Sequence, residues 1–347
     1  MKTNKEDNKV HEVIMNMLKI IKVFLIIIIS IIIIIFLWHQ ISNLLYKNKV
    51  KVPGDLIKVY DKDYIHTKEL GKGKYTFVLL PGMGTSSPYY DYYKLANSLS
   101  KNNHVLVLEP LGYGFSSITN KKRNLKNYEN EINKVLKHYK VKDNIVFVAH
   151  SYSGPITLYY ANKYQDKVKG LICLDCTSSY QIATHVKDGK FIEEVPKQES
   201  SLSWLANMGI VRLVYTFMDK EIYNELLIDV PKKYHGNYKY LLYNKSLNKT
   251  IINETNDFPY IELKMLNKKY NNNLYVRTFL SSETIEEMKE YKEYGDFKYD
   301  WEEMHNHMIS NPDIQKIINL KGNHYIHHNN VEKIVKEINK MLEEMSI

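Results

Sequence analysis

Cysteine is nearly missing: the chain of 347 residues carries two, Cys173 and Cys176. They cannot build a disulfide framework beyond a single pair. With no second pair elsewhere, their C-x-x-C spacing cannot complete a zinc site either. Both sit in the apolar run Leu171-Ile172-Cys173-Leu174-Asp175-Cys176, which reads as a buried strand holding two core thiols. A nucleic-acid-binding motif is also lacking. Lys and Arg number 48 against 39 Asp and Glu, a net charge of +9, but the basic residues are spread along the chain. That excludes a nucleic-acid partner and describes a solvated basic surface, with some attraction to anionic lipid. There are no internal repeats, and no low-complexity linker outside one isoleucine tract. Apolar residues make up 44% of the chain, so a packed core is within reach and global disorder is excluded.

Formal charge is missing altogether from Val23 to Tyr46. Within that stretch lies Ile26-Ile27-Ile28-Ile29-Ser30-Ile31-Ile32-Ile33-Ile34-Ile35-Phe36-Leu37-Trp38. At 1.5 Å per residue, about 20 residues cross a bilayer core. Lysines flank it (Lys19, Lys22, then Lys47, Lys49, Lys51), and Trp38 and Tyr46 suit the interfaces. A cleavable signal peptide needs a shorter apolar core followed by small residues. His39-Gln40-Ile41-Ser42-Asn43-Leu44-Leu45 offers no such site. The expectation is an amino-terminal tail over 1–22 and an uncleaved single-pass anchor over 23–46, with the bilayer as partner. The lysines before and after the span balance, so the positive-inside count is a tie. By analogy with signal anchors, the tail is assigned to the cytoplasm and the catalytic domain to the extracytoplasmic side. The catalytic core is expected to need nothing from the span, so the protein should fold and be soluble without residues 1–46.

Beyond the anchor, continuous apolar runs alternate with amphipathic stretches. Strands are expected over 75–80, 104–108, 144–148, 170–175, 274–280 and 317–320. Helices are expected over 91–99, around Ile132 to Tyr139, over 158–164, near 285–294, and at the end with Val331, Ile334, Val335, Ile338, Met341 and Leu342 on one face. This is the pattern of a parallel sheet covered on both faces. Right-handed crossovers then put every strand's carboxyl end along one rim. Residues 177–270 break the rhythm with helix-like pieces (202–217, 223–228, 234–243) and no clear buried strand. They read as an inserted helical cap dividing a core of 52–176 and 271–347.

Four motifs follow the strand ends: Pro81-Gly82-Met83-Gly84, Glu109-Pro110-Leu111-Gly112-Tyr113-Gly114, Ala149-His150-Ser151-Tyr152-Ser153-Gly154, and Lys321-Gly322-Asn323-His324. Ser151 needs small neighbours if the backbone reverses sharply around it, and Ala149 and Ser153 supply them where G-x-S-x-G is the usual form. A serine hydroxyl attacks only with an adjacent base; His324, after a strand end and a glycine, can take that proton. His327 and His328 lie about a turn further on. His305 and His307 form an H-x-H without a carboxylate cluster, which reads as a surface helix rather than a metal site.

In order and spacing these motifs resemble the α/β-hydrolase superfamily over roughly residues 55 to 345. The resemblance implies an α/β-hydrolase fold: a mostly parallel central sheet with helices on both faces and an inserted helical cap, here preceded by one transmembrane helix. It implies a nucleophile at Ser151, a general base at His324, and an oxyanion hole from the backbone N–H groups of Met83 and Tyr152. The family's acid usually lies in a G-x-x-D turn after the 274–280 strand, where this chain has Ser281-Ser282-Glu283-Thr284, with threonine in the aspartate slot. Some relatives, haloalkane dehalogenases among them, carry the acid one strand earlier, as at Asp175. Asp175 is favoured and Glu283 is the alternative. Dehalogenation is disfavoured, because that chemistry uses an aspartate where this chain has Ser151.

The expected activity is a membrane-anchored serine hydrolase of the carboxylesterase, lipase or aminopeptidase kind. It would cleave an ester, thioester or amide without a cofactor or metal. The Leu-, Met-, Tyr- and Phe-containing cap suggests a lipophilic or small acyl substrate. Carbon–carbon bond hydrolysis is open on the same scaffold. A catalytically silent module at the membrane is the second reading, motivated by the altered elbow glycines and the missing G-x-x-D.

Overall fold

A computed structural model of the chain describes residues 3–47, 49–218, 224, 227–290 and 300–346. Its main sheet holds β1 (Asp55–Lys58), β2 (Tyr64–Leu70), β3 (Thr76–Leu80), β4 (His104–Glu109), β5 (Ile145–His150), β6 (Val168–Leu174), β9 (Tyr275–Ser281) and β10 (Gln315–Leu320). Their order is β1-β2-β4-β3-β5-β6-β9-β10. Every neighbouring pair from β4 to β10 is parallel, whereas β1 and β2 join through antiparallel pairings. Every residue of β3 and β5 is buried. A strand covered on both faces has no polar side to show, which is why these runs are continuously apolar.

The covering helices follow their sequence signals. Helix Leu125–His138 is capped by Asn124, whose side chain accepts from Asn127 N at 3.0 Å, and it buries Leu125, Tyr128, Ile132, Val135 and Leu136. The terminal helix Val331–Glu344 buries Val331, Ile334, Ile338 and Met341 on the opposite face of the sheet. β1 and β2 gave no readable pattern. The middle of β2 buries His66 and Thr67 beside Ile65, and His66 Nδ1 meets the buried Glu109 at 2.8 Å. Polar residues satisfied by long-range partners look like loop in a sequence.

Residues 177–270 add no strand to the main sheet among the described residues. They hold a small hairpin, β7 (Val186–Lys187) with β8 (Lys190–Phe191), and helices Ser203–Asn207, Ile210–Phe217, His235–Lys245 and Lys249–Met265. The expected continuous stretch 202–217 is two helices, broken at Gly209 with φ of +87°. The longest cap helix, Lys249–Met265, was not anticipated, because it is weakly amphipathic and carries Pro259 in its interior. Of the expected piece 223–228, only residues 224, 227 and 228 are described; of the one near 285–294, residues 291–294 lie outside the description, and the helix is recorded over Ser282–Glu290.

One helix, Thr3–Lys47, occupies the amino terminus, and its stretch from His11 is long and apolar enough to span a membrane. Its carboxyl-terminal third is not free. His39 is buried; Arg212 donates to His39 Nδ1 at 3.1 Å and to Asn43 Oδ1 at 2.7 Å. Gln40 donates to the Asn207 carbonyl at 3.1 Å, and Asn43 to Asn244 Oδ1 at 2.9 Å. The cap, rather than the core, thus uses three residues of 23–46 as hydrogen-bond partners.

Candidate active site

The elbow forms where β5 ends. Ser151 has φ of +53°, a left-handed conformation that costs a non-glycine residue about 1–3 kcal/mol and persists only when neighbours impose it. They do. Ser151 N donates to Leu174 O at 3.2 Å, and Ser151 O accepts from Gly154 N and Thr177 N, each at 3.0 Å. Ala149 is buried with its carbonyl against Cys176 Sγ at 3.2 Å, and a Cβ on Gly154 would sit 2.7 Å from Cys176 Cβ. Ser153, in the place of the usual second glycine, is buried and donates to Pro81 O at 2.5 Å. Its hydroxyl ties the elbow to the glycine turn.

Asp175 also sits at a strand end, with φ of +46° and its N bonded to Phe279 O at 2.8 Å. The side chain is fully buried and held by four contacts. Oδ1 accepts from Ser281 N at 3.0 Å and Trp301 Nε1 at 3.1 Å; Oδ2 accepts from Thr284 Oγ1 at 2.5 Å and meets His324 Nδ1 at 2.7 Å. A buried carboxylate is tolerated when its lone pairs are satisfied in this way. The His324 ring keeps 41% of its side-chain exposure, so it is held from one edge and accessible elsewhere. Glu283 lies exposed in the first turn of helix Ser282–Glu290, its backbone N donating to Gly322 O at 3.2 Å.

The structure brings the Ser151 and His324 segments together through His150. Its Nε2 donates to the His324 carbonyl at 3.0 Å, and the two rings lie 4.7 Å apart. Burial, then the neighbouring His324 and His327, push His150 well below the ordinary histidine range. The ring is therefore neutral at pH 7. Its Nδ1 is buried against Gly82, where a Cβ would approach to 2.4 Å; that close approach is the reason for glycine there. In the same turn Gly84 N donates to Tyr113 OH at 3.2 Å. Met83 lies between these glycines, and its Sδ contacts Thr255 Oγ1 of the cap at 3.5 Å. Tyr152 begins the helical conformation after Ser151 and donates its hydroxyl to Glu254 at 3.0 Å.

Glu254, from cap helix Lys249–Met265, also accepts from the hydroxyls of Tyr113 and Tyr128. Burial raises its pKa, and the nearby Arg123 opposes that rise. Three phenols thus bind the cap helix to the elbow, to the loop after β4 and to helix Leu125–His138. Sequence reasoning missed Thr284, Trp301 and Glu254. Each acts across more than 100 residues of chain, and only Thr284 left a trace, as the residue in the unexpected aspartate slot.

The remaining candidates separate. His305 is buried, not on a surface helix as expected, with its ring nitrogens against the carbonyls of Trp301 and Cys176 at 2.8 and 2.9 Å; His307 is exposed. Cys173 and Cys176 are buried free thiols, and burial pushes Cys176 up. Among the described residues, one group has donor atoms spaced for a metal ion: Asp91, His327 and His328, within 4.8 Å of one another. There Asp91 accepts from His327 Nε2 at 3.0 Å and His328 Nε2 at 2.9 Å. Burial pushes Asp91 up, but the two rings outweigh it and hold the carboxyl below its ordinary range. These contacts secure the loop that follows His324.

Residues 75–207 match the family model described as alpha/beta hydrolase fold. The chain has the α/β-hydrolase fold. Among solved structures, this chain is similar to a meta-cleavage product hydrolase from Pseudomonas fluorescens IP01, with a TM-score of 0.54 and 12% identity over 84% of this chain and 98% of that one. It is similar also to a carboxylesterase from the ammonia-oxidizing thaumarchaeon Nitrososphaera gargenis, with a TM-score of 0.52 and 14% identity over 84% and 98% of the two chains. Such identities speak to fold. An uncharacterized protein, YbdG, of Bacillus subtilis (strain 168) is 28% identical over 155 residues, which is 45% of this chain and 47% of that protein, so the match spans about half of the relative's length.

Proposed function

We propose that this α/β hydrolase is a membrane-anchored serine hydrolase, cleaving an ester, thioester or amide through an acyl-enzyme on Ser151. The observation that carries the reading is the 2.7 Å contact between His324 Nδ1 and the buried, four-fold held Asp175, one strand end from the elbow. With Nδ1–H held by the carboxylate, the free Nε2 is the base. Ser151 Oγ attacks the substrate carbonyl while its proton passes to His324 Nε2. The tetrahedral oxyanion is stabilised by the N–H groups of Met83 and Tyr152, each such donor being worth about 3 kcal/mol. Collapse expels the alcohol, thiol or amine, which takes the proton from His324. Water then gives its proton to His324, attacks the acyl-enzyme and releases the acid and Ser151. Asp175 keeps the imidazole in this tautomer and stabilises its cation. The carboxylesterase among the structural neighbours supports an ester as first choice.

The helix from His11 to Lys47 supplies the single-pass anchor, with the catalytic domain on the extracytoplasmic side as in a signal anchor. The test is labelling with a fluorophosphonate probe. Labelling of the wild type that disappears in Ser151→Ala supports the enzyme. A well-folded protein that never labels shows instead a silent module that has kept the fold.

A further inference from the structure

The apolar helix carries polar side chains where none are expected, His39, Gln40 and Asn43, and all three reach the cap. A polar group in a membrane helix is costly unless it has a partner. Here the partner is chiefly Arg212, itself buried, with its guanidinium 4.4 Å over the Tyr243 ring. Between the helices stands Gly209. With φ of +87° and His39 Cβ 2.6 Å from where its own Cβ would lie, no other residue fits.

The position of this clamp along the helix is informative. Lys22 to His39 is 17 residues, or about 25 Å of helix, against a hydrocarbon core of about 30 Å. The cap therefore grips the helix inside or at the very edge of the membrane segment, not beyond a spacer. If the span is shifted toward the amino terminus, with Lys19 and Lys22 reaching for the headgroups, the clamp still lies directly at the exit. Either placement presses the cap against the bilayer surface.

Cap helix Ile210–Phe217 presents three functions on its eight residues. Arg212 holds the anchor. Val214 and Phe217 point outward, Phe217 being 81% exposed, with exposed Trp204 on the preceding helix. Tyr215 lines a cavity of about 250 Å³ with Tyr238, Leu242 and Tyr325, and the polar Thr85, Ser86, Asp91, Asn323 and His328 share that lining. Thr85 follows the glycine turn, and Asn323 and Tyr325 flank His324, so this cavity adjoins the proposed catalytic groups. An apolar outer face beside a membrane helix marks an interfacial contact.

We propose that this helix seats the cap in the bilayer surface beside the catalytic groups, making a lipid ester the substrate class. The proposal rests on the serine hydrolase reading of Ser151. Its test uses the full-length protein in phosphatidylcholine nanodiscs, with a water-soluble acetate ester and a fluorogenic long-chain ester dissolved in the bilayer. The outward-facing pair Val214→Asp/Phe217→Asp is expected to slow the bilayer ester at least tenfold and leave the acetate ester within about twofold. Equal rates for wild type and variant on the bilayer ester, or a parallel fall on both substrates, would overturn it. A readout independent of catalysis is a polarity-sensitive dye on Phe217→Cys. Blue-shifted emission quenched by brominated lipid is expected; water-like emission refutes the seating even where the Ser151 probe labels normally. Failure of the probe alone would instead strike the hydrolase reading.

Discussion

Thr284 donates its hydroxyl to Oδ2 of Asp175 at 2.5 Å, the same oxygen that His324 Nδ1 meets at 2.7 Å. The carboxylate thus comes from the end of β6, while the segment after β9 contributes a neutral donor that fixes it. Ser281 N and Trp301 Nε1 fix the other oxygen. An acid supported from three segments cannot swing away from the imidazole without breaking several hydrogen bonds at once.

Asp175→Asn should lower kcat by about 10³–10⁴-fold, because an amide both loses the charge and favours the wrong tautomer of the histidine. Glu283→Gln should stay within about twofold of wild type. Steady-state rates on one ester decide the matter: a loss confined to the glutamate variant would move the acid to Glu283.

Thr284→Val keeps the shape and removes one donor to a charged oxygen. Such bonds are worth about 1.5–3 kcal/mol, so kcat should fall about tenfold or more with KM little changed. A residue that merely packed would lower thermal stability and leave kcat in place.

Glu262 is nearly buried in cap helix Lys249–Met265, and burial pushes its carboxyl from 4.5 up to about 8. Between those values the folded chain binds the proton more tightly than the unfolded chain. Folding stability attributable to Glu262 is therefore fully present below about pH 4.5 and is lost as pH rises through 8. Thermal unfolding followed from pH 5 to pH 8 should show a falling Tm. Glu262→Gln should flatten that slope; an unchanged slope would contradict the assignment.

Removal of residues 1–34 should leave a more stable protein than removal of residues 1–46. The longer deletion strips Arg212 of His39 and Asn43, and an orphaned buried donor costs about 1–3 kcal/mol. In a domain of this size the Tm difference should be on the order of 5 °C, and Arg212→Met in the longer deletion should recover part of it. Equal melting temperatures would show the clamp to be energetically idle.

Much of this architecture was legible in the primary structure. The buried strands are continuous apolar runs, and the motifs sit where such runs end, so Ser151, His324 and the glycine turn could be singled out without coordinates. The acid was harder. Asp175 and Glu283 each follow a strand, and the choice depended on which carboxylate the fold encloses. Thr284 in the aspartate slot read as a defect; in three dimensions it is a donor to Asp175. The cap was the least legible. Lys249–Met265 owes its helical state to Glu254 and its three tyrosine partners and to the Asn248 cap, not to periodicity. His39, Gln40 and Asn43 looked like the fading end of a membrane segment.

Local patterns along the chain were enough for the layer order, the elbow and the long amino-terminal helix, because apolar periodicity and turn sterics act over a few residues. Folding in space settled which carboxylate faces the imidazole, how the cap is pinned to the elbow, and that the amino-terminal helix is gripped by Arg212. Those are contacts between residues 100 or more positions apart. Their strength comes from desolvation and hydrogen-bond satisfaction, which exist only once the chain has closed around them.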